Sequence, residues 1–244
     1  MKFVSTRNLV TLVTVGCFSL VALLLIGRDV PAAVVKLVTS SGFIVLAIQV
    51  GGLRSNYGRI ILLGLTFSWL GDAALIGESE FLFLSGLGAF LLAHIAYIAA
   101  FVVLGVSVKW LAVAATPVAF VAITVSLWLA PYIPQELVIP VRVYTAVISL
   151  MVIGAFGTRG RGATILILAG AVLFFLSDLS VAMLRLVQTE IPTYILGLPL
   201  YYAGQVCLAL SASQSRSHRG VPEKRSARKS MNARTRYDRW RVGG

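Results

Sequence analysis

The sequence predicts an all-α fold, a polytopic membrane helical bundle of about eight transmembrane helices. The 244 residues are 58% hydrophobic and only 12% charged, and their mean hydropathy is +0.91. Soluble domains carry about 25% charged residues, so this composition indicates a membrane protein. The apolar residues form long continuous runs, and not the alternating pattern of a membrane β-barrel. Helices are therefore the predicted spanning elements.

Eight apolar runs approach or exceed the length of about 20 residues that a helix needs to cross a bilayer. Charged or turn-forming residues separate them. The first run follows Lys2 and Arg7, the third lies between Arg59 and Glu78, and the seventh follows Gly160–Gly162. In chain order the predicted spans are about 9–27, 32–51, 60–77, 82–105, 109–130, 137–156, 163–185 and 192–212.

The first run has an alternative interpretation as a cleaved signal peptide. Two basic residues precede it, and Val30-Pro31-Ala32-Ala33 follows it, a pattern that such peptides share. Cleavage would leave seven spans and place the basic C-terminal segment outside the cell, against the positive-inside rule. We therefore favour a span.

The charges between the spans predict the orientation. With eight spans, the N-terminus, the second, fourth and sixth connections and the C-terminal segment share one side. Before the C-terminal segment this side has no acidic residue and seven basic ones: Lys2, Arg7, Arg54, Arg59, Lys109, Arg159 and Arg161. Because cytoplasmic loops are enriched in Lys and Arg, we predict an integral protein of a bacterial plasma membrane with both termini in the cytoplasm.

Two regions are predicted along the chain. Residues 1–212 form the eight-helix transmembrane domain, and residues 213–244 form a basic, disordered cytoplasmic tail. Ten of the 21 Lys and Arg residues lie beyond Ser215, and the net charge is +12. Basic residues beside an anionic leaflet gain about 1 kcal/mol each, so the predicted partners of the tail are membrane lipids, with no nucleic acid. The oligomeric state stays open.

Two aspartates lie inside membrane-length apolar runs. Asp72 is in Phe-Ser-Trp-Leu-Gly-Asp-Ala-Ala-Leu (67–75), and Asp178 is in Phe-Phe-Leu-Ser-Asp-Leu-Ser-Val-Ala (174–182). A charged side chain at the bilayer centre costs about 2.5–3.5 kcal/mol on insertion scales, so such residues usually have a partner or a function. Two acids in matched settings predict one polar site within the bundle.

The spacing around these acids indicates two four-helix halves in a parallel repeat. Lys36 precedes Asp72 by 36 residues, and Arg142 precedes Asp178 by the same distance. Equal spacings also arise from similar helix and loop lengths. A basic side chain near a helix end often reaches the interface without any other role, and the acids have an alternative role as structural ion-pair partners.

A hydrogen-bonding pair follows each aspartate. His94 lies 22 residues after the first aspartate, and Tyr97 comes one helical turn later. Tyr201 lies 23 residues after the second, and Gln205 comes one turn later. His94 has the alternative role of a packed bundle histidine. With the two aspartates, His94 makes three strong metal donors, enough to hold an ion, but their helical spacing does not single out that outcome. We therefore assign no metal site and no cofactor.

At these residues the chain resembles the YhhN family of membrane proteins, which includes the lysoplasmalogenases. The resemblance covers most of residues 30–210, with the motifs in matching order. The motifs are Ser-Trp-Leu-Gly-Asp (68–72), Phe-Leu-Leu-Ala-His-Ile-Ala-Tyr (90–97), Val-Tyr-Thr-Ala-Val-Ile-Ser-Leu-Met (143–151), Gly-Ala-Val-Leu-Phe-Phe-Leu-Ser-Asp (170–178) and Tyr-Tyr-Ala-Gly-Gln (201–205). The resemblance implies an eight-helix hydrolase that cleaves the vinyl ether bond of lysoplasmalogens, which are lysophospholipids, to a fatty aldehyde and a glycerophospho-base.

Vinyl ether hydrolysis needs a proton donor and then the attack of water. We therefore expect Asp72 and Asp178 to be catalytic, one protonated as acid and the other ionised as base. The expected orienting or substrate-binding residues are His94, Tyr97, Tyr144, Tyr201, Gln205, Lys36 and Arg142, the two cations serving the phosphate. A small lipid or solute transporter and a non-catalytic membrane module are the alternatives.

Overall fold

The computed structural model describes residues 5–77, 79–187, 189 and 192–214. This part of the chain is all-helical, which confirms the predicted fold class, and every long helix begins and ends within four residues of its predicted span. The long helices are α1 Thr6–Leu25, α2 Asp29–Gln49, α3 Asn56–Ala74, α4 Glu80–Leu104, α5 Val108–Leu129, α6 Val138–Arg159, α7 Ile165–Ala182 and α8 Tyr194–Ser211. Short 3₁₀ turns lie at Gly52–Arg54, Ala130–Tyr132 and Gln135–Leu137, and a π-helical turn at Met183–Val187 continues α7.

Seven of the eight long helices are long and apolar enough to cross a membrane, and the chain is an integral membrane protein. The helix outside these seven is α3, which has 19 residues and contains Asn56, Arg59, Ser68 and Asp72. Its contacts with α2, α4 and α8 place it within the bundle. The predicted tail, beyond residue 214, lies outside the described residues.

Four of the helices begin at a hydroxyl side chain that caps the first turn. The side-chain oxygens of Ser5, Ser55, Ser79 and Thr164 accept hydrogen bonds from backbone N–H groups at the starts of α1, α3, α4 and α7. A cap of this kind satisfies a donor that the helix itself leaves free. These residues therefore explain why each helix begins where it does.

Helix packing in the first half recurs in the second. The pairs α1–α2, α2–α3 and α3–α4 pack together, and so do α5–α6, α6–α7 and α7–α8. Between the halves, α2 packs on α8 and α4 packs on α6. If α1–α4 correspond in order to α5–α8, each of these is a contact between the second helix of one half and the fourth helix of the other. This arrangement is consistent with the predicted parallel repeat. One difference is that α1 also packs on α8, whereas α5 packs substantially on no long helix except α6 among the described residues.

An aromatic layer fills the centre of the bundle between α3, α4, α7 and α8. Phe174 is fully buried, and its ring centroid lies 5.9 Å from that of Phe90, 6.3 Å from Tyr97, 5.5 Å from Tyr201 and 4.6 Å from His94. Most of these contacts are edge-to-face, the arrangement that aromatic rings prefer. The layer is a rigid support for the polar side chains beside it.

We expect Gly58→Ala to destabilise the protein. A Cβ at Gly58, on α3, would overlap the backbone carbonyl oxygens of Gly52 and Ala212, which cannot rotate away. Overpacking of this kind costs about 1–3 kcal/mol. Gly88→Ala, on α4, is the matched control, because its Cβ would meet no atom within 4 Å. Thermal unfolding in detergent measures both, and equal midpoints would contradict the close approach at Gly58.

Candidate active site

Asp72 lies near the end of α3 and is only 3% exposed. Its Oδ2 atom accepts hydrogen bonds from Ser40 Oγ at 2.6 Å and from Tyr201 OH at 2.7 Å. Its Oδ1 atom lies 3.5 Å from Lys36 Nζ. The carboxylate is therefore held by one cation and two hydroxyl donors, a set that can stabilise its negative charge inside the bundle.

Local helix geometry explains the partners on α2. Lys36 and Ser40 are four residues apart, so both side chains face the same neighbour. Tyr202 OH lies 3.2 Å from Ser40 Oγ and donates to the backbone oxygen of Lys36 at 3.3 Å. The tyrosine thus ties α8 to this turn of α2 and keeps both side chains aimed at Asp72.

Asp178 has a different environment on α7. Tyr144 OH donates a hydrogen bond to its Oδ2 at 2.6 Å, and His94 Nε2 lies 3.5 Å from the same oxygen without the alignment of a hydrogen bond. His94 is fully buried, and within the described chain neither of its ring nitrogens has a hydrogen-bond partner. No Lys or Arg among the described residues lies within ion-pair distance of Asp178.

Both aspartates line one cavity of about 160 Å³. The other polar side chains in its lining are Lys36, Tyr144, Thr145, Ser177, Ser180, Tyr194 and Tyr201. The rest of the lining is mostly apolar and comes from α3 to α8 and the π-helical turn. It includes Leu75, Phe83, Leu87, Phe90, Val125, Leu129, Val141, Ile148, Phe175, Leu184, Leu186 and Leu198. At one end of the bundle α3, α5 and α7 finish and α4, α6 and α8 begin. We call this end the cavity end.

The surroundings of the two aspartates follow the repeat. Each carboxylate is contacted from the second helix of its own half, by Ser40 on α2 or by Tyr144 on α6. Each is also approached from the fourth helix of the other half, by Tyr201 on α8 or by His94 on α4. The structure thus brings together the acids and the His and Tyr positions that sequence spacing related to each other.

Four predicted residues do not line the cavity: His94, which lies behind Asp178, and Tyr97, Gln205 and Arg142. Tyr97 and Gln205 are fully buried and bonded to each other, with Tyr97 OH donating to Gln205 Oε1 at 2.9 Å. Arg142 is exposed on α6 and does not line the cavity. Among the described residues it has no acidic partner, so Lys36 has no basic counterpart beside Asp178.

Sequence reasoning missed two residues that complete the Asp72 environment, Ser40 and Tyr202. The spacing of Ser40 one turn after Lys36 was the available signal. It is a weak one, because a serine in a membrane helix often bonds its own backbone. Asp72, Asp178 and His94 do not form a metal cluster: no group of three or more His, Cys, Asp or Glu side chains comes together in the described part of the chain.

The amino-acid sequence matches the YhhN family over residues 32–212, which is most of its length. The chain belongs to the YhhN family. One curated relative is a Bos taurus protein named Lysoplasmalogenase TMEM86A, which is 31% identical over 164 residues. The alignment covers 64% of this YhhN-family chain and 66% of the relative, just under two thirds of its length. No solved structure matches the chain.

Proposed function

We propose that this chain is a membrane-embedded hydrolase that cleaves the vinyl ether bond of lysoplasmalogen-type lysophospholipids. The products are a fatty aldehyde and a glycerophospho-base. The observation that carries the proposal is one apolar-walled cavity lined by two aspartates whose charge environments differ. The family and the name of the curated relative support hydrolase chemistry of this kind.

The reaction needs an acid and a base in turn. A proton added to the β-carbon of the vinyl ether leaves an oxocarbenium ion. Water then adds to the α-carbon and gives up a proton, forming a hemiacetal. When the hemiacetal collapses, the leaving glycerol oxygen takes a proton, the hemiacetal hydroxyl loses one, and the aldehyde forms. Two carboxyl groups can therefore exchange roles and return to their starting states, as acid–base catalysis requires.

The contacts favour Asp178 as the acid and Asp72 as the ionised group. Asp72 faces the Lys36 ammonium and two hydroxyl donors, which balance a negative charge. Asp178 faces one phenol and an imidazole, and burying a carboxylate without a paired cation is costly. Asp178 therefore holds the proton that is transferred to carbon. The Asp72 carboxylate stabilises the oxocarbenium ion and accepts a proton from the attacking water.

Two cations near the cavity end suit the phosphate of the substrate. Lys36 lines the cavity, and its ammonium group has donors beyond the one directed at Asp72. Arg185, in the π-helical turn, lies with its guanidinium carbon 5.5 Å from the ring centroid of Phe83, which lines the cavity. Arg185 is exposed and does not itself line the cavity, but its contact with Phe83 sets it beside the lining, and we propose it as the second phosphate ligand in place of Arg142. Guanidinium and ammonium groups are the usual phosphate ligands in proteins.

The direct test is aldehyde release from an alkenyl lysophospholipid by the purified chain in detergent. We expect one aldehyde for each glycerophospho-base formed. A transporter or flippase would bind the lipid and release no aldehyde. A folded protein that releases none would contradict the proposed reaction.

We expect Tyr201→Phe to slow turnover, because Asp72 loses one of its two hydroxyl donors. A hydrogen bond to a charged group contributes about 1.5–3 kcal/mol, which corresponds to a loss of about 10- to 100-fold in rate. Tyr132→Phe is the matched control, since Tyr132 is 46% exposed and lies outside the cavity lining. The rate of aldehyde release measures both, and an unchanged rate for Tyr201→Phe would remove Tyr201 from the mechanism.

A further inference from the structure

The two halves of the bundle differ in how their first helix is held. In the first half, α1 packs against α2 and against α8 of the other half. Its counterpart α5 packs against α6, and no substantial packing joins it to α4 within the described chain. Consistent with this, only 6% of the residues in the apolar 18-residue window of the α5 span are buried, against 22% in that of α1. The repeat is thus closed between α8 and α1 and open between α4 and α5.

The cavity reaches this opening. Leu87 on α4 and Val125 on α5 both line it. Leu87 lies 17 residues before the end of α4 at Leu104, and Val125 lies 17 residues after the start of α5 at Val108. Because the two helices run in opposite directions from a short link, the two side chains lie at the same level. Both side chains are partly exposed, and they flank the cavity on the side where α4 and α5 do not pack; we call the space between them the gap.

The cavity also continues beyond the aspartates as an apolar branch. Ile148 lies one turn further than Tyr144 from the cavity end of α6, and Phe175 lies one turn further than Asp178 from the cavity end of α7. With Val125 they make an apolar wall at membrane depth. Lipid tails are as apolar as these side chains, so a hydrocarbon chain can move from the bilayer to this wall at little cost.

We propose that the hydrocarbon chain of a single-chain membrane lipid enters the cavity sideways between α4 and α5 and lies against Leu87, Val125, Ile148 and Phe175. The inference rests on the proposed function for the chemistry of the lipid, and on the open repeat for its route. The polar headgroup then lies toward the cavity end, where Lys36 and Arg185 are located. The bond next to the chain lies between the two aspartates.

The route is tested with a photoactivatable lysophospholipid that carries a diazirine in a saturated ether chain, in phosphatidylcholine vesicles. After irradiation, mass spectrometry maps the labelled peptides. We expect labels on α4 and α5 to exceed those on the outward groove between α1 and α2 by about tenfold, the ratio for a site that binds the lipid more tightly by about 1.4 kcal/mol. Equal labelling of the two regions would overturn the proposal.

The second experiment closes the gap reversibly and measures photolabelling of the cavity in both states. Leu87→Cys/Val125→Cys is crosslinked with a bifunctional thiosulfonate reagent, and a thiol reductant releases the link. We expect crosslinking to lower photolabelling of the cavity by about tenfold and reduction to restore it. The control pair Val15→Cys/Val38→Cys faces the outward groove between α1 and α2, and its crosslinking should leave the cavity labelling unchanged. The parent treated with the same reagent controls for Cys17 and Cys207, the free native cysteines.

The readout does not depend on turnover. Labelling that disappears on crosslinking, together with no aldehyde release by the parent, would retain the route and reject the vinyl ether reaction. Cavity labelling that is unaffected when the gap is crosslinked would reject the route, whatever the protein does to the lipid.

Discussion

Asp178→Asn is expected to lower the rate of aldehyde release by about 10²–10⁴-fold, the usual contribution of a positioned general acid. The amide cannot donate a proton to carbon, but its oxygen can still accept the hydrogen bond from Tyr144. The fold should therefore be kept while turnover is lost. Asp72→Asn should cause a loss of similar size, because the amide neither stabilises the oxocarbenium ion by charge nor accepts a proton from water.

Glu80→Gln is the matched control for both aspartate variants. Glu80 lies in the first turn of α4, outside the cavity lining, so the same loss of charge there should leave aldehyde release unchanged. Unfolding midpoints in detergent separate loss of catalysis from loss of folded protein. Full activity in both asparagine variants would exclude the acid–base mechanism.

Lys36→Met should both destabilise the protein and stop turnover. Asp72 is buried, and Lys36 Nζ, 3.5 Å away, is the cation that balances it. Removing one partner of a buried ion pair costs about 3–5 kcal/mol, because the other charge stays buried without compensation. The unfolding midpoint and the rate of aldehyde release measure the two effects.

The double variant Lys36→Met/Asp72→Asn separates the roles of the pair. Without the buried charge, most of the lost stability should return, while aldehyde release stays low. Lys109→Met, at the exposed start of α5, is the control for removing a basic side chain and should change neither measurement. A Lys36→Met protein as stable as the parent would show that Asp72 is not ionised in the folded state.

The helices were predictable from sequence, and so was the presence of a cation and an aspartate at matching positions in each half. Long apolar runs need helical backbone pairing in a membrane, so the spans follow from composition and length. The spacing grouped Lys36 with Asp72 in one half of the bundle, and in the structure Lys36 Nζ lies 3.5 Å from Asp72 Oδ1. The same spacing grouped Arg142 with Asp178, but Arg142 is exposed on α6 and forms no ion pair with that aspartate.

The remaining features depend on side-chain direction, which residue spacing does not determine. A long basic side chain near a helix end can turn toward the interface or toward the bundle at little cost, so Lys36 and Arg142 look alike in sequence. Ser40 reaches Asp72, although a serine in an apolar helix more often bonds its own backbone. The weak packing of α5 likewise could not be predicted from sequence, since its apolar run is as long as those of the packed helices.

The aspartate of each half is contacted by a side chain from the last helix of the other half, and this has a consequence for biosynthesis. Tyr201, the donor that completes the hydrogen bonds of Asp72, lies on α8, the last long helix in the described chain. A nascent protein that has inserted α1 to α7 already contains both aspartates but lacks this donor. It also lacks Tyr202, which braces the turn of α2 that carries Lys36 and Ser40. These hydrogen bonds around Asp72 therefore form only after α8 has been inserted, so a chain released before α8 carries both aspartates without them.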